Sequence, residues 1–350
     1  MLKQNFFSKT KRYQQISTVL VVLTVAVIGT LLLISSHAAT PYSTVAADKG
    51  TLTGVATIKT DSTASDGKSV VFGTTNQGLC GFATGTPQVN KIMIIWEENH
   101  SLTDVTGSPY FDKMATSCGS AVNYFANTHP SLPNYMAITS GVSYASNPWN
   151  TDCWPTNSGC NTSNASVFSQ LGTNWKSYAE DMPGSCVKSD SGEYAVKHNP
   201  AAYYTNIATA CSRQDVPLGT STSGNLFSDV KNGALPALTT VTPNLINDMH
   251  DGTVLDADNW LKVWVPIITA GSDYQTGHLA IIVMGDENEG SGSGSNQTFA
   301  FVLSAYTRSS TQSSTSFNDY SVTRTIEDIT GQPAIGNAAG ANSMVSAFNL

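Results

Sequence analysis

Lys91-Ile-Met-Ile-Ile-Trp96 is an apolar run uninterrupted by any polar position after its first residue. That is the pattern of a central parallel strand buried on both faces. His278-Leu-Ala-Ile-Ile-Val-Met284 and Thr298-Phe-Ala-Phe-Val-Leu303 have the same character, and Leu238-Thr-Thr-Val-Thr242 is a β-branched strand that Pro243 ends. Between these runs apolar residues recur at helical spacing. Val167 to Met182 reads as a helix followed by a strand, and Asn225 to Leu235 and Asn259 to Ala270 read as helices, with Asp256 and Asp258 at the start before Trp260. Pro133 to Ser140 reads as another helix, with Ser131 and Leu132 at its mouth and Gly141 closing it. Strands alternating with helices predict an α/β fold, a three-layer sandwich around a mostly parallel sheet.

The beginning of the chain departs from this pattern. Lys3, Lys9, Lys11 and Arg12 precede a charge-free apolar run from Ile16 to Ser36, and Ser36-His-Ala-Ala39 then offers small residues for cleavage. Residues 1–40 therefore read as a signal peptide or an N-terminal signal anchor. In either case the body is exported, secreted or anchored to the outer face of the cytoplasmic membrane, and it meets a membrane only through an uncleaved N-terminus. Residues 41–90 are rich in Thr, Ser and Gly and read as a stalk or small β segment with short strands near Thr51 and Ser69. Ala64 to Gly73 resembles the end of a carbohydrate-binding-like leader, which leaves a weak glycan contact open for 41–90. Residues 91–350 form the expected catalytic domain.

Without the leader's four basic residues, 13 Lys and Arg face 25 Asp and Glu. Such an acidic body argues against nucleic acid as a partner. The six cysteines lie beyond the leader, which suits disulfides in an oxidising compartment. Cys153 with Cys160 and Cys186 with Cys211 close local loops, and Cys80 with Cys118 follows by elimination.

Ligands of open α/β sheets bind outside the carboxyl ends of the strands, and here three strands end in polar clusters. They are Glu97-Glu98-Asn99-His100, Pro243-Asn244-Leu-Ile-Asn247-Asp248-Met-His250-Asp251, and Gly285-Asp286-Glu287-Asn288-Glu289. Acidic groups gathered after apolar strands call for a cation. Ser131, in Thr128-His129-Pro-Ser131-Leu-Pro-Asn134, stands where a turn becomes a helix, in a field suited to phosphate and to an alkoxide. Ser is also an ordinary helix cap, and Thr128 is the rival hydroxyl. Strand alternation turns Glu97 outward, away from Glu98. His129, Asp248 and His250 are candidates for orienting substrate and protonating the leaving oxygen. His100 and His278 read as structural; His198, in the Cys186–Cys211 excursion, is open to touching substrate, with a structural role the expectation.

These segments, with Tyr320-Ser-Val-Thr-Arg-Thr-Ile-Glu-Asp328, make residues 91–335 resemble the bacterial and fungal phosphoesterase family of secreted acid phosphatases and C-type phospholipases, within the alkaline-phosphatase-like superfamily. The resemblance implies Ser131 as nucleophile, Glu98, Asn99, Asp286 and Glu287 as ligands of one divalent metal, and Asn134 as a phosphoryl-binding residue. An all-oxygen donor set favours Mg, Mn or Ca over Zn. The implied reaction is metal-dependent hydrolysis of a small-molecule or lipid phosphate ester, most simply a monoester, through a phosphoserine. Two alternatives stand beside it: a phospholipase C-type diesterase, for which Trp149, Trp154, Tyr203 and Tyr204 could provide an apolar mouth, and a catalytically degenerate surface-tethered binding protein. The last is kept open by one departure: Asp319 stands where family members commonly carry a histidine. The absence of a Cys-x-Pro-x-Arg run disfavours a sulfatase.

Overall fold

The structure is a computed structural model that describes residues 20, 23–24, 56–60, 68–72, 78–290 and 295–350. Most of the predicted leader and stalk lies outside these residues, and among the described residues no helix is long and apolar enough to cross a membrane. Two compact units divide the chain at Asn76 and Gln77. Among the described residues of the first, β1 (Ala56–Thr60) pairs antiparallel with β2 (Lys68–Phe72).

The second unit is built on an eight-stranded sheet. Its strands in chain order are β3 (Lys91–Glu97), β4 (Gly119–Ala121), then, outside this sheet, β5 (Tyr124–Phe125), followed by β6 (Trp175–Ala179), β7 (Asp215–Pro217), β8 (Leu238–Thr242) and β9 (Leu279–Gly285). A short β10 (Gln297–Thr298), again outside it, precedes β11 (Ala300–Ser304), β12 (Thr311–Ser313) and the two-residue β13 (Phe317–Asn318). The spatial order is β12-β4-β11-β9-β3-β8-β6-β7, while β10, β5 and β13 form a small separate sheet. From β9 to β7 all neighbours are parallel, and β11 adds to β9 antiparallel. The expected mostly parallel sheet is therefore present, with its central strands where the apolar runs predicted them.

Four longer helices cover the two faces: α1 (Pro109–Ser117), α2 (Ser131–Ser140), α3 (Val254–Ala270) and α4 (Asp319–Thr330). Because strand side chains alternate, Ile92, Ile94 and Trp96 pack with Leu132, Tyr135 and Met136 of α2 and with Val322 and Ile326 of α4. Met93 and Ile95 face Phe111 and Met114 of α1 and Trp260, Leu261 and Trp264 of α3. Full burial of each such side chain contributes about 1.5–3 kcal/mol. All ten residues of α2 are buried, and Gly141 ends it in the left-handed region at φ 67°. A Cβ there would stand 2.4 Å from the Ile335 carbonyl oxygen, so only glycine fits.

α3 begins earlier than its apolar spacing suggests, because Thr253 and Asp256 form a reciprocal capping box before Val254. Asp258 is not part of that start. It sits within α3 and accepts from the Tyr110 and Phe111 amides at 2.6 and 3.0 Å, capping α1 from another element. The three disulfides are Cys80–Cys118, Cys153–Cys160 and Cys186–Cys211, the pairing expected from loop closure. The last two lie in the long excursions between α2 and β7.

Candidate active site

At the carboxyl end of β3, alternation sends Glu98 toward α2 and Glu97 to the other side. Asn99 then adopts φ 50°, a left-handed turn that asparagine tolerates, and its amide donates to Asp286 Oδ1 at 3.2 Å. Ser131, the first residue of α2, is only 1% exposed. Its hydroxyl lies 2.9 Å from Glu98 Oε2 and 3.3 Å from Glu287 Oε1. Thr128 has no such place, since its hydroxyl donates to the His129 carbonyl at 3.2 Å. Ser131, Glu98, Asn99, Asp286 and Glu287 thus come together from three distant segments. His129 adjoins them, with Nδ1 2.6 Å from Glu287 Oε2. Asn134 faces Glu287 at 3.5 Å, but its amide mainly braces the approach to α2, bonding the Thr128 amide at 3.0 Å and the Thr128 carbonyl at 2.9 Å.

Burial, reinforced by Asp286 and Asp248, pushes the Glu98 carboxyl well above its usual range. Burial likewise raises Asp248, Asp286 and Glu287. Four such acids cannot ionise together here unless a cation sits among them. Within the described residues, Asn99 Oδ1 and Asp286 Oδ2 are buried without hydrogen-bond partners, and such orphaned oxygens are free to ligate. The donor set therefore fits a divalent cation.

A second group adjoins this one. His198, 1% exposed, stacks on Tyr135 with centroids 5.4 Å apart, and the Tyr135 hydroxyl donates to Glu98 Oε1. His198 Nδ1 is 3.0 Å from Asp248 Oδ2. Its Nε2 lies 3.3 Å from Glu98 Oε1 but without hydrogen-bond geometry, so it counts as unpartnered. Burial lowers the imidazole well below its ordinary pKa, so a neutral ring bonded through Nδ1–H turns a lone pair toward a carboxylate. That lone pair is open to a cation or to a protonated Glu98. Glu98, His198 and His250 indeed offer ligand atoms within 4.8 Å of one another. Nitrogen donors thus adjoin the oxygen set of Glu98, Asn99, Asp286 and Glu287.

His250 Nδ1 meets Asp251 at 2.7 Å and its Nε2 meets Lys197 Nζ at 2.8 Å. Lys197 Nζ also lies 3.3 Å from Asp152 Oδ2, and Asp152 Oδ1 accepts from the Leu132 amide at 3.0 Å. Asp248 Oδ2 pairs with His198 Nδ1, and its Oδ1 accepts from the His250 amide, so its carboxylate holds the two histidine segments. Non-glycine residues forced to positive φ cluster here: besides Asn99 they include Asp152 at 50° and Met249 at 78°.

Several expectations change. Glu97 does not face solvent: it is fully buried, and both its oxygens lack partners among the described residues. His198, for which a structural role was the expectation, lies against Glu98 and Asp248 in the candidate site. Its only signal in the sequence is the Lys197-His198-Asn199-Pro200 turn inside a disulfide-closed excursion. Tyr203, Tyr204 and Trp149 are core residues, leaving Trp154, 42% exposed, as the remaining mouth aromatic. His100 and His278 are structural as expected, bonded through Nδ1 to the carbonyls of Glu98 and Gln88. Asp319 is fully buried and uses both oxygens structurally, accepting from the Tyr124 hydroxyl at 2.8 Å and the Asn127 amide at 3.0 Å.

Comparison with known proteins shows the family and the fold. The profile of the phosphoesterase family matches residues 108–333. The chain is 32% identical over 265 residues to a phosphatidylinositol-3-phosphatase of Mycobacterium tuberculosis, covering 74% of this chain and 83% of that one. It is 27% identical to a phosphate-repressible acid phosphatase of Penicillium chrysogenum, over 72% of this chain and 62% of the relative. Its alignments thus span less than two thirds of this and other fungal acid phosphatases. Among solved structures, a lipoteichoic acid synthase from Listeria monocytogenes shares the fold, with a TM-score of 0.50 at 11% identity over 79% of this chain and 78% of that one.

Proposed function

The chain belongs to the phosphoesterase family, hydrolases of phosphoric ester bonds, and from that premise we propose that it is an exported, divalent-metal-dependent phosphomonoesterase working through phospho-Ser131. The observation that carries this reading is a buried serine hydroxyl, at the start of a helix, within 2.9 and 3.3 Å of two carboxylates from different strand ends. Relatives named phosphatidylinositol-3-phosphatase and acid phosphatase support a monoester, small-molecule or lipid. The basic head followed by a charge-free apolar run, together with three disulfides, supports export.

Glu98, Asn99, Asp286 and Glu287 would hold the cation, which supplies charge neutralisation for the serine alkoxide and the transferring phosphoryl group. Ser131 Oγ gives its proton toward Glu98 Oε2 and attacks phosphorus, so the P–O bond to the leaving alcohol breaks as the serine ester forms. Water then cleaves that ester, releasing phosphate and restoring the hydroxyl. His250 cannot supply the leaving oxygen's proton as it stands, because Asp251 and Lys197 occupy both its nitrogens. His129, partly exposed beside Glu287, is the remaining candidate for that role. Asn134 shapes the approach to Ser131.

The test is hydrolysis of a chromogenic monoester and a choline phosphodiester by the full chain, with and without EDTA, alongside Ser131→Ala. Monoester turnover that EDTA removes, one divalent ion restores and Ser131→Ala lacks supports the proposal. Full turnover by Ser131→Ala overturns the phosphoserine, and diester turnover alone overturns the monoester assignment.

A further inference from the structure

The contacts around Ser131 close on themselves. Ser131 Oγ meets Glu98, Glu98 lies against His198, and the His198 and His250 rings are 5.3 Å apart. His250 Nε2 meets Lys197, Lys197 meets Asp152, and Asp152 accepts from the amide of Leu132, the residue after Ser131. Lys197 is the cation in this circuit.

An ammonium has three N–H donors. Two are accounted for by Asp152 and by His250 Nε2, which must accept because Nδ1–H is directed to Asp251. Among the described residues the third has no acceptor, and the side chain keeps 19% of its surface accessible. A transferring phosphoryl group spreads negative charge over its equatorial oxygens, and a fixed donor beside the nucleophile is the group that stabilises it.

We propose that Lys197 is a catalytic residue whose ammonium binds a non-bridging oxygen of the transferring phosphoryl group, and that Asp152 is the positioning residue that aims it. The assignment rests on Ser131 being the nucleophile. Its rival is a lysine that only offsets the acidic cluster, and the two roles predict different measurements. A phosphoryl-binding lysine changes affinity for inorganic phosphate and leaves metal content alone. A charge-balancing lysine changes metal content or folding and leaves phosphate affinity alone.

The experiment compares the full chain with Lys197→Met, Lys197→Arg and Ser131→Ala. It reads kcat and KM for a chromogenic monoester, inhibition by inorganic phosphate, metal per chain by elemental analysis and the thermal melt. Lys197→Met should lose about 100- to 1,000-fold in kcat/KM, mostly in kcat, with roughly tenfold weaker phosphate inhibition and unchanged metal content. Lys197→Arg, which keeps the charge, should retain phosphate inhibition and tests the idea even where the Met protein does not fold. The proposal is overturned by folded Lys197→Met within threefold of the parent, by a loss that tracks missing metal, or by Lys197→Arg losing phosphate inhibition while folded. A parent without monoesterase activity, or an active Ser131→Ala, points instead to failure of the underlying reading.

Discussion

Asp319 offers a direct test of whether the departure from the family's usual histidine disables the site. Its two oxygens accept from the Tyr124 hydroxyl and the Asn127 amide, and the group is fully buried. Burial pushes the carboxyl up to about 8, so below that pH the neutral acid prevails. Asp319→Ala would leave two buried donors without an acceptor at about 1–3 kcal/mol each, a total loss of about 2–6 kcal/mol. Asp319→Asn resembles the neutral acid. Its oxygen can serve the Asn127 amide, and its NH2 can donate to a Tyr124 hydroxyl that rotates to accept, so the loss should be about 1 kcal/mol or less. The Asn127 segment leads straight into His129 and Ser131, so the alanine protein should also lose turnover through a loosened approach. Urea melts and monoester turnover at pH 6 measure both quantities. Alanine as stable as the parent would refute the hydrogen-bond account. An asparagine protein of native stability but no activity would show that the carboxyl itself takes part in the chemistry.

Asp258→Ala uncaps α1, leaving two amides without an acceptor, and should cost about 2–6 kcal/mol, read as a lowered thermal midpoint, with the turnover of the remaining folded protein unchanged because α1 lies on the face away from Ser131. Asp215, fully buried beside Asn199, is raised by burial to about 7 from 3.8. The folded state then binds more protons than the unfolded state between those values, so this group's contribution falls by about 4 kcal/mol as pH rises from 4 to above 7. Asp215→Asn should flatten that part of the melting profile, and an unchanged slope between pH 4 and 7 would rule it out.

The fold was legible where the chain is periodic. Lys91 to Trp96 and His278 to Met284 are apolar because both faces of the sheet are covered, and that requirement shows in the residues themselves. The strand ends marked the polar clusters, and the resemblance singled out Glu98, Asn99, Asp286 and Glu287 among them. Lys197, His198 and Asp152 had no such mark, because they lie in short turns whose placement depends on distant contacts and on neighbouring cystines. The aromatic pair Tyr203 and Tyr204 was misleading for the same reason: nothing local distinguishes a core aromatic in an excursion from one at a mouth. Asp258 reads as a helix start in sequence, yet its partners lie 148 residues away.

That distance has a consequence for how the protein comes to life. Asn99 and Asp286 meet across 187 residues of chain, Ser131 and Glu287 across 156. Parallel neighbours cannot join by a tight hairpin, and such non-local pairings form slowly. No partly folded stretch can hold the nucleophile and its carboxylates together. Catalytic competence should therefore arrive in one late step, when β9 docks beside β3. Recovery of turnover after dilution from denaturant would then serve as a clock for that docking, lagging behind the return of helical signal.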